Sequence, residues 1–184
     1  MEPGGFIPPG GRGSRPLPLS LVCGRAGKGD SMISRKAKYG LKALIYLARH
    51  TSGGPVLIER LSRDERIPRK FLEQILLELK KKGLLASRKG RGGGYKLGRP
   101  ANRISMAEII RILDGPLAPV PCVSVTAFGP CEECLDPRRC GIRLVMQDVR
   151  DGIADILENT SLQEVLKRVH KISQKEKIRK GVHP

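Results

Sequence analysis

Along residues 34–169 the apolar positions fall mostly at the alternating three-and-four spacing that gives a helix one buried face. Ala37, Leu41, Leu44 and Ala48 predict a first helix from Ser34, a capping residue, to His50. Ile58 and Leu61 predict a second, over Leu57 to Glu65. Leu72, Ile75, Leu76 and Leu79 predict a third from Arg69 to Lys82, stopped by Gly83. Two short runs, Leu84–Arg88 and Gly94–Leu97, read as strands of a hairpin with Lys89, Gly90, Arg91, Gly92 and Gly93 at its tip. Ile104, Ile109, Ile112 and Leu113 mark a fourth helix, opened by Asn102 or Ser105. A longer helix is expected over Gly141–Glu158, and a short one from Thr160 or Ser161 with Leu162, Val165, Leu166 and Val169.

The corner Arg66-Ile67-Pro68 joins the second and third helices tightly, since proline suits only a helix's first turn. The expected fold is therefore mainly α with a small β-hairpin wing: a winged helix-turn-helix followed by a long C-terminal dimerisation helix. In that long helix Ile142, Met146, Val149, Ile153 and Ile156 form a coiled-coil-like seam. Leu144, Val145 and Leu157 are left to pack on the winged domain. The chain divides into an N-terminal extension (1–31), a winged domain (32–114), a cysteine loop (115–140), the dimerisation and short helices (141–169) and a basic tail (170–184). The extension holds eight Gly and five Pro without periodicity, a disorder composition, and Met32 reads as the natural start. His50 reads as a helix-end residue, and His170 and His183 have no clustered partners.

Charge sharpens this picture. The formal net charge is +17, of which the first 31 residues supply only +2. From Leu79 to Arg103 there are nine Lys or Arg and no acid, which calls for a polyanionic partner. A helix followed by a thin basic hairpin fits duplex DNA, with the helix in the major groove and the hairpin along the backbone or in the minor groove. Arg69, Lys70, Glu73 and Gln74 are the candidates for base edges or phosphates, because Gln can read adenine and Glu can accept from cytosine. Arg88, Lys89 and Arg91 are the wing candidates. Lys36 and Lys38 can meet phosphates or face solvent, and Tyr39 can donate to a phosphate or pack. Lys167 onward carries seven Lys or Arg against Glu176 and could add nonspecific affinity. Aromatic residues make up 3%, too few for a base-stacking RNA platform. No nucleotide-binding fingerprint or catalytic dyad points to an enzyme. No apolar run reaches the roughly 20 residues of a membrane span, and a cytoplasmic location is expected.

Five cysteines are present, four of them clustered as Cys122, Cys131, Cys134 and Cys140 in a proline-broken loop. The spacing is C-x8-C-x2-C-x5-C, and Cys23 stands apart from it. Clustered thiols in a reducing compartment fit metal or redox chemistry better than a disulfide scaffold. Thiolates are soft donors, suited to an iron–sulfur cluster or to zinc, and a metal-free thiol switch is the third reading. Arg138, Arg139 and Arg143 are expected to lower the cysteine pKa values, with Glu132 and Glu133 opposing them.

The segments FLEQIL, LKKKGLLASRKGRGGGYKLGRP and ISMAEIIRILDG resemble the Rrf-two family of winged helix-turn-helix regulators, which includes the IscR, NsrR and CymR types. The likeness runs from about Met32 to Val169 and is most specific in the wing. It implies a homodimeric transcription factor, often a repressor, acting on double-stranded DNA at a palindromic operator. It also implies a cysteine-bearing sensor loop, in which a [2Fe–2S] or [4Fe–4S] cluster or a redox change sets DNA affinity. Cluster-binding relatives use three cysteines there: Cys122 matches the first, Cys140 the last, and either Cys131 or Cys134 the middle one. Where one type has a histidine fourth ligand this chain has Arg143, and where another takes a partner aspartate it has Lys38. The surplus cysteine thus becomes the candidate fourth ligand of an all-cysteine site, with zinc as the alternative occupant.

Overall fold

The computed structural model describes residues 32–50, 53–90, 92–131, 134 and 136–179. The 1–31 extension with Cys23, the wing-tip Arg91, Glu132, Glu133 and His183 lie outside the described residues. The described chain is mainly helical with one small hairpin. In order it runs through α1 (Arg35–Arg49), α2 (Ile58–Glu65), α3 (Arg69–Lys81), β1 (Leu85–Arg88), β2 (Gly94–Leu97), α4 (Met106–Leu113), α5 (Gly141–Glu158) and α6 (Leu162–Arg179). Two 3₁₀ turns, Ala101–Arg103 and Pro121–Val123, flank α4 on either side.

Each helix of the winged domain starts and stops for a local reason. Ser34 caps α1: its Oγ accepts from the Ala37 amide at 3.1 Å. Its own hydroxyl donates to Asp114, and its backbone N–H donates to the same carboxylate at 2.8 Å. The start of α1 is thereby tied to the end of α4. Ser105 likewise caps α4 by accepting from the Glu108 amide. Past α3, Gly83 at φ +77° donates to Lys80 O and Leu84 donates to Leu79 O, which is a Schellman ending.

The corner between α2 and α3 is less orthodox. Arg66 sits in the left-handed region at φ +53°, where a glycine would be unstrained. Ile67 N–H closes the turn onto Ser62 O at 3.0 Å, and Ser62 Oγ returns a bond to Ile67 O at 2.7 Å. Ile67 itself is 2% exposed, so its burial helps to offset the strain at Arg66.

The buried face of α3 carries Leu72, Ile75, Leu76 and Leu79, all fully buried. Each contributes roughly 1.5–3 kcal/mol of burial. They pack with Leu44 of α1, Leu61 of α2, Ile109 of α4 and Leu162 of α6 in one core. The wing is antiparallel, with Leu85 opposite Leu97 and Arg88 opposite Gly94. Val56 adds a third edge by exchanging two 2.8 Å backbone bonds with Tyr95. That close approach needs Gly94, whose Cβ position lies 2.3 Å from Val56 O and whose φ is +138°.

The C-terminal part departs from the sequence expectation in two respects. The last helix is not short: α6 has 18 residues and continues past Val169 into the expected tail, to Arg179. Nor do Leu144 and Val145 pack on the winged domain, for they are 56% and 58% exposed. Among the described residues α5 buries none of its own side chains, although Ile142, Val149 and Ile156 are apolar and exposed. It is joined to the winged domain by the Arg111–Glu158 ion pair and by contacts with α4 and the Pro121–Val123 turn. Before α6 the chain re-enters the core: Leu162 N–H donates to Ile104 O and Met106 N–H to Thr160 O, both at 2.9 Å. Among the described residues no helix is long and apolar enough to cross a membrane.

Candidate nucleic-acid interface and cysteine site

Burial of one side of α3 leaves the other side bare. Arg69, Lys70, Glu73 and Gln74 are all exposed there, together with Leu77, which periodicity alone did not single out. Arg69 is engaged: Nη2 lies 2.9 Å from Glu59 of α2 and Nε lies 3.0 Å from Glu73. Lys70 and Gln74 are unengaged among the described residues. In the wing, Arg88 and Lys89 are exposed with no ion pair among the described residues. Lys96 is also exposed, whereas Arg99 is turned back onto Glu108 at 2.6 Å.

The α1 candidates divide. Lys38 is exposed, while Lys36 forms a 2.6 Å ion pair with Glu78 of α3. Tyr39 packs edge-on against Phe71, with ring centroids 5.7 Å apart. Packing is thus the observed role of its ring. A further polar knot braces α1 against α2, where buried Tyr46 donates to Asp64 at 2.5 Å. This bond is the main cause that holds the Asp64 carboxyl below its ordinary value, and burial in turn raises the Tyr46 phenol.

The cysteines approach one another from three pieces of chain. Cys122 lies in the 3₁₀ turn and is 7% exposed. Cys131 is exposed and Cys134 half-buried on the loop, joined by a Cys134 N–H to Cys131 O bond at 3.2 Å. Cys140 is the N-cap residue of α5, half-buried. All four are free thiols.

Two of their pKa values, those of Cys131 and Cys134, move opposite to the expectation from nearby arginine. Cys131 is raised, first by a hydrogen bond with Cys122, then by burial and by the charge on Cys122, Cys134 and Cys140. Cys134 is raised by burial first and then by the charge on Cys140. Two of the three arginines are engaged elsewhere, and Arg139 is exposed. Arg138 reaches Asp136, and Arg143 donates to the carbonyls of Cys122 and Pro137 at 3.3 and 3.5 Å. Sequence reasoning weighed these cations by proximity in the chain and missed that backbone carbonyls compete for them.

Four soft sulfur donors within electrostatic reach of one another suit a thiophilic metal, which would relieve their mutual repulsion. The free-thiol arrangement is looser than ligation requires. Among the described residues no group of three or more His, Cys, Asp or Glu is already set to hold a metal ion.

Comparison with known proteins gives consistent matches. The family model named Rrf2, described as iron-dependent transcriptional regulator, matches residues 33–168. An rrf2-like helix-turn-helix transcriptional regulator of Rhodobacter capsulatus is 41% identical over 138 residues, covering 73% of this chain and 92% of the relative. The regulator IscR of Pectobacterium atrosepticum is 34% identical over 134 residues, covering 73% and 78%. Among solved structures, CymR, the global cysteine regulator of B. subtilis, superposes with a TM-score of 0.62 at 30% identity, covering 74% of this chain and 96% of that one. IscR of T. potens gives 0.59 at 28% identity, covering 74% and 87%.

Proposed function

The chain belongs to the Rrf2 family of transcriptional regulators, and on that premise we propose that it is a homodimeric, sequence-specific DNA-binding repressor. Its operator affinity is set by a thiolate-bound inorganic centre in the 115–140 loop. The observation that carries the DNA reading is the bare face of α3: Lys70, Glu73 and Gln74 stand exposed above a fully buried apolar stripe, beside a wing with exposed Arg88 and Lys89. Donors and acceptors on one helix face can read base edges, and the wing cations can neutralise phosphates. Two copies are required because each helix-turn-helix reads one half-site. The exposed apolar residues of α5, Ile142, Val149 and Ile156, are the surface on which the copies meet.

Cys122, Cys131, Cys134 and Cys140 are the residues that would hold the centre. When bound, an iron–sulfur cluster supplies a charge and occupancy that respond to oxidants and iron supply. The iron reading is supported by the description of the matching family model and by the all-sulfur donor set. Cys140 opens α5 and Cys122 lies against it, so the occupancy of these thiols bears directly on the helix that sets the spacing of the two readers. A switch then needs only different DNA affinities in the two states.

The test is selection of bound sequences by the full-length protein from randomised duplexes. An inverted repeat should be enriched, with half-site centres about 10–10.5 bp apart or a multiple of that. A pool without sequence preference would refute specific recognition.

A further inference from the structure

The turn that carries Cys122 is fastened to α5 by two arginines of that helix. Arg143 Nε donates to Cys122 O at 3.3 Å, and Arg150 Nη1 donates to Val123 O at 2.8 Å. The two residues are seven apart, so they project from the same side of α5 two turns from each other. Their targets are consecutive carbonyls of a buried turn, Cys122 at 7% exposure and Val123 at 3%. Arg150 is itself 17% exposed and oriented by Asp151 at its other edge. Arg143 extends to Pro137 O as well, so one guanidinium spans both limbs of the cysteine loop.

From this geometry we infer that Arg143 and Arg150 are positioning residues: they couple the thiol of Cys122 to the placement of α5. A guanidinium is planar and always charged, so it holds a carbonyl at a fixed height along the helix. Any shift of Cys122 between its free and ligated states is carried by the next two peptide units into α5. No residue of α5 is fully buried, so its seat on α4 and the Pro121–Val123 turn can shift without opening the core. This rests on the sensing role proposed above, and names the residues through which it acts.

The experiment uses full-length protein and its Arg143→Gln, Arg150→Gln and doubly substituted variants. In metal-stripped protein, the rate of Cys122 alkylation by iodoacetamide is read by mass spectrometry against the same thiol in urea-unfolded protein. Loss of charge-assisted bonds should raise the Cys122 rate on the order of tenfold in the double variant. In parallel, operator affinity is measured for each protein stripped by chelator and after loading with ferrous iron and sulfide without oxygen. The ratio of the two affinities should fall towards one in the double variant, while the stripped protein binds as the parent does.

Unchanged Cys122 alkylation would overturn the inference. So would faster alkylation with the parent's ratio intact, because the arginines would then hold the turn without coupling it. A ratio of one in the parent itself would defeat the sensing role before any variant is made, which keeps the two failures distinct.

Discussion

Arg69 Nε and Glu73 Oε1 lie 3.0 Å apart, one turn from each other on the exposed face of α3. Both side chains are about half exposed, so the pair is worth only ~0.3–0.5 kcal/mol and can open when DNA arrives. Glu73→Ala is expected to relax discrimination at one base pair of each half-site by about 1–3 kcal/mol. Arg69→Ala should weaken binding to all duplexes alike and lower the salt slope by about 1. Competition titrations at several salt concentrations measure both. Unaltered base preference at every position in the Glu73 variant would remove it from recognition.

The seam of α5 gives a second expectation. Val149 and Ile156 are 41% and 64% exposed in the protomer, so acidic substitution there need not disturb its fold. Val149→Asp with Ile156→Asp should yield monomers by sedimentation at micromolar concentration, with helicity retained. Affinity for a two-half-site duplex should fall by at least ~10-fold, since the linked second contact is lost. A dimer of undiminished strength would place the interface elsewhere.

Ser34 does two things at once, capping α1 and binding Asp114 at the end of α4. Ser34→Ala should cost about 1–2 kcal/mol, or on the order of 3–6 °C in Tm. Asp114→Asn tests the second contact separately, because it leaves the cap in place. If Ser34→Ala melts with the parent, the cap contributes nothing measurable.

The Tyr46–Asp64 bond predicts a pH dependence. Asp64 titrates below its ordinary 3.8 in the folded chain, chiefly because the Tyr46 hydroxyl donates to it. A depressed carboxylate contributes stability that is fully present above 3.8 and is lost as pH falls through the lower folded value. Tyr46→Phe should therefore be less stable than the parent at neutral pH, and the gap should narrow on acidification below that range. Urea unfolding at neutral and acidic pH reads this directly. A gap independent of pH would mean that the phenol acts through packing alone.

Much of the winged domain was legible because burial there obeys period. Leu72, Ile75, Leu76 and Leu79 recur at helical spacing and all face the core. Ser34, Gly83 and Ser105 mark their helix ends by chemistry that is visible in one dimension. Arg66 was not legible, because nothing in an arginine announces a left-handed corner; Ser62 and the burial of Ile67 enforce it from outside. The extra length of α6 was hidden too, since beyond Val169 only Ile172 and Ile178 interrupt a polar stretch of that helix and they form no continuous apolar stripe. At the interface, exposure of Lys70 and Gln74 followed from the stripe opposite them, but the Lys36–Glu78 and Arg69–Glu59 pairs join different helices. For the cysteines, spacing singled out four residues that the fold brings within electrostatic reach of one another. The attachment of Cys122 to α5 depends on carbonyl acceptors, which every residue carries and no sequence pattern advertises.

The central claim is that the state of the Cys122, Cys131, Cys134 and Cys140 thiols sets DNA affinity. The most direct measurement is the affinity of one selected operator duplex for protein prepared without oxygen, titrated for iron and sulfide content, before and after removal of metal by a chelator. The account predicts iron and acid-labile sulfide in the first preparation and a change in affinity of at least about fivefold between the two, corresponding to roughly 1 kcal/mol of coupling. Zinc in place of iron and sulfide would replace the cluster with the other thiophilic occupant. Equal affinity of the two preparations at every salt concentration would contradict the claim outright.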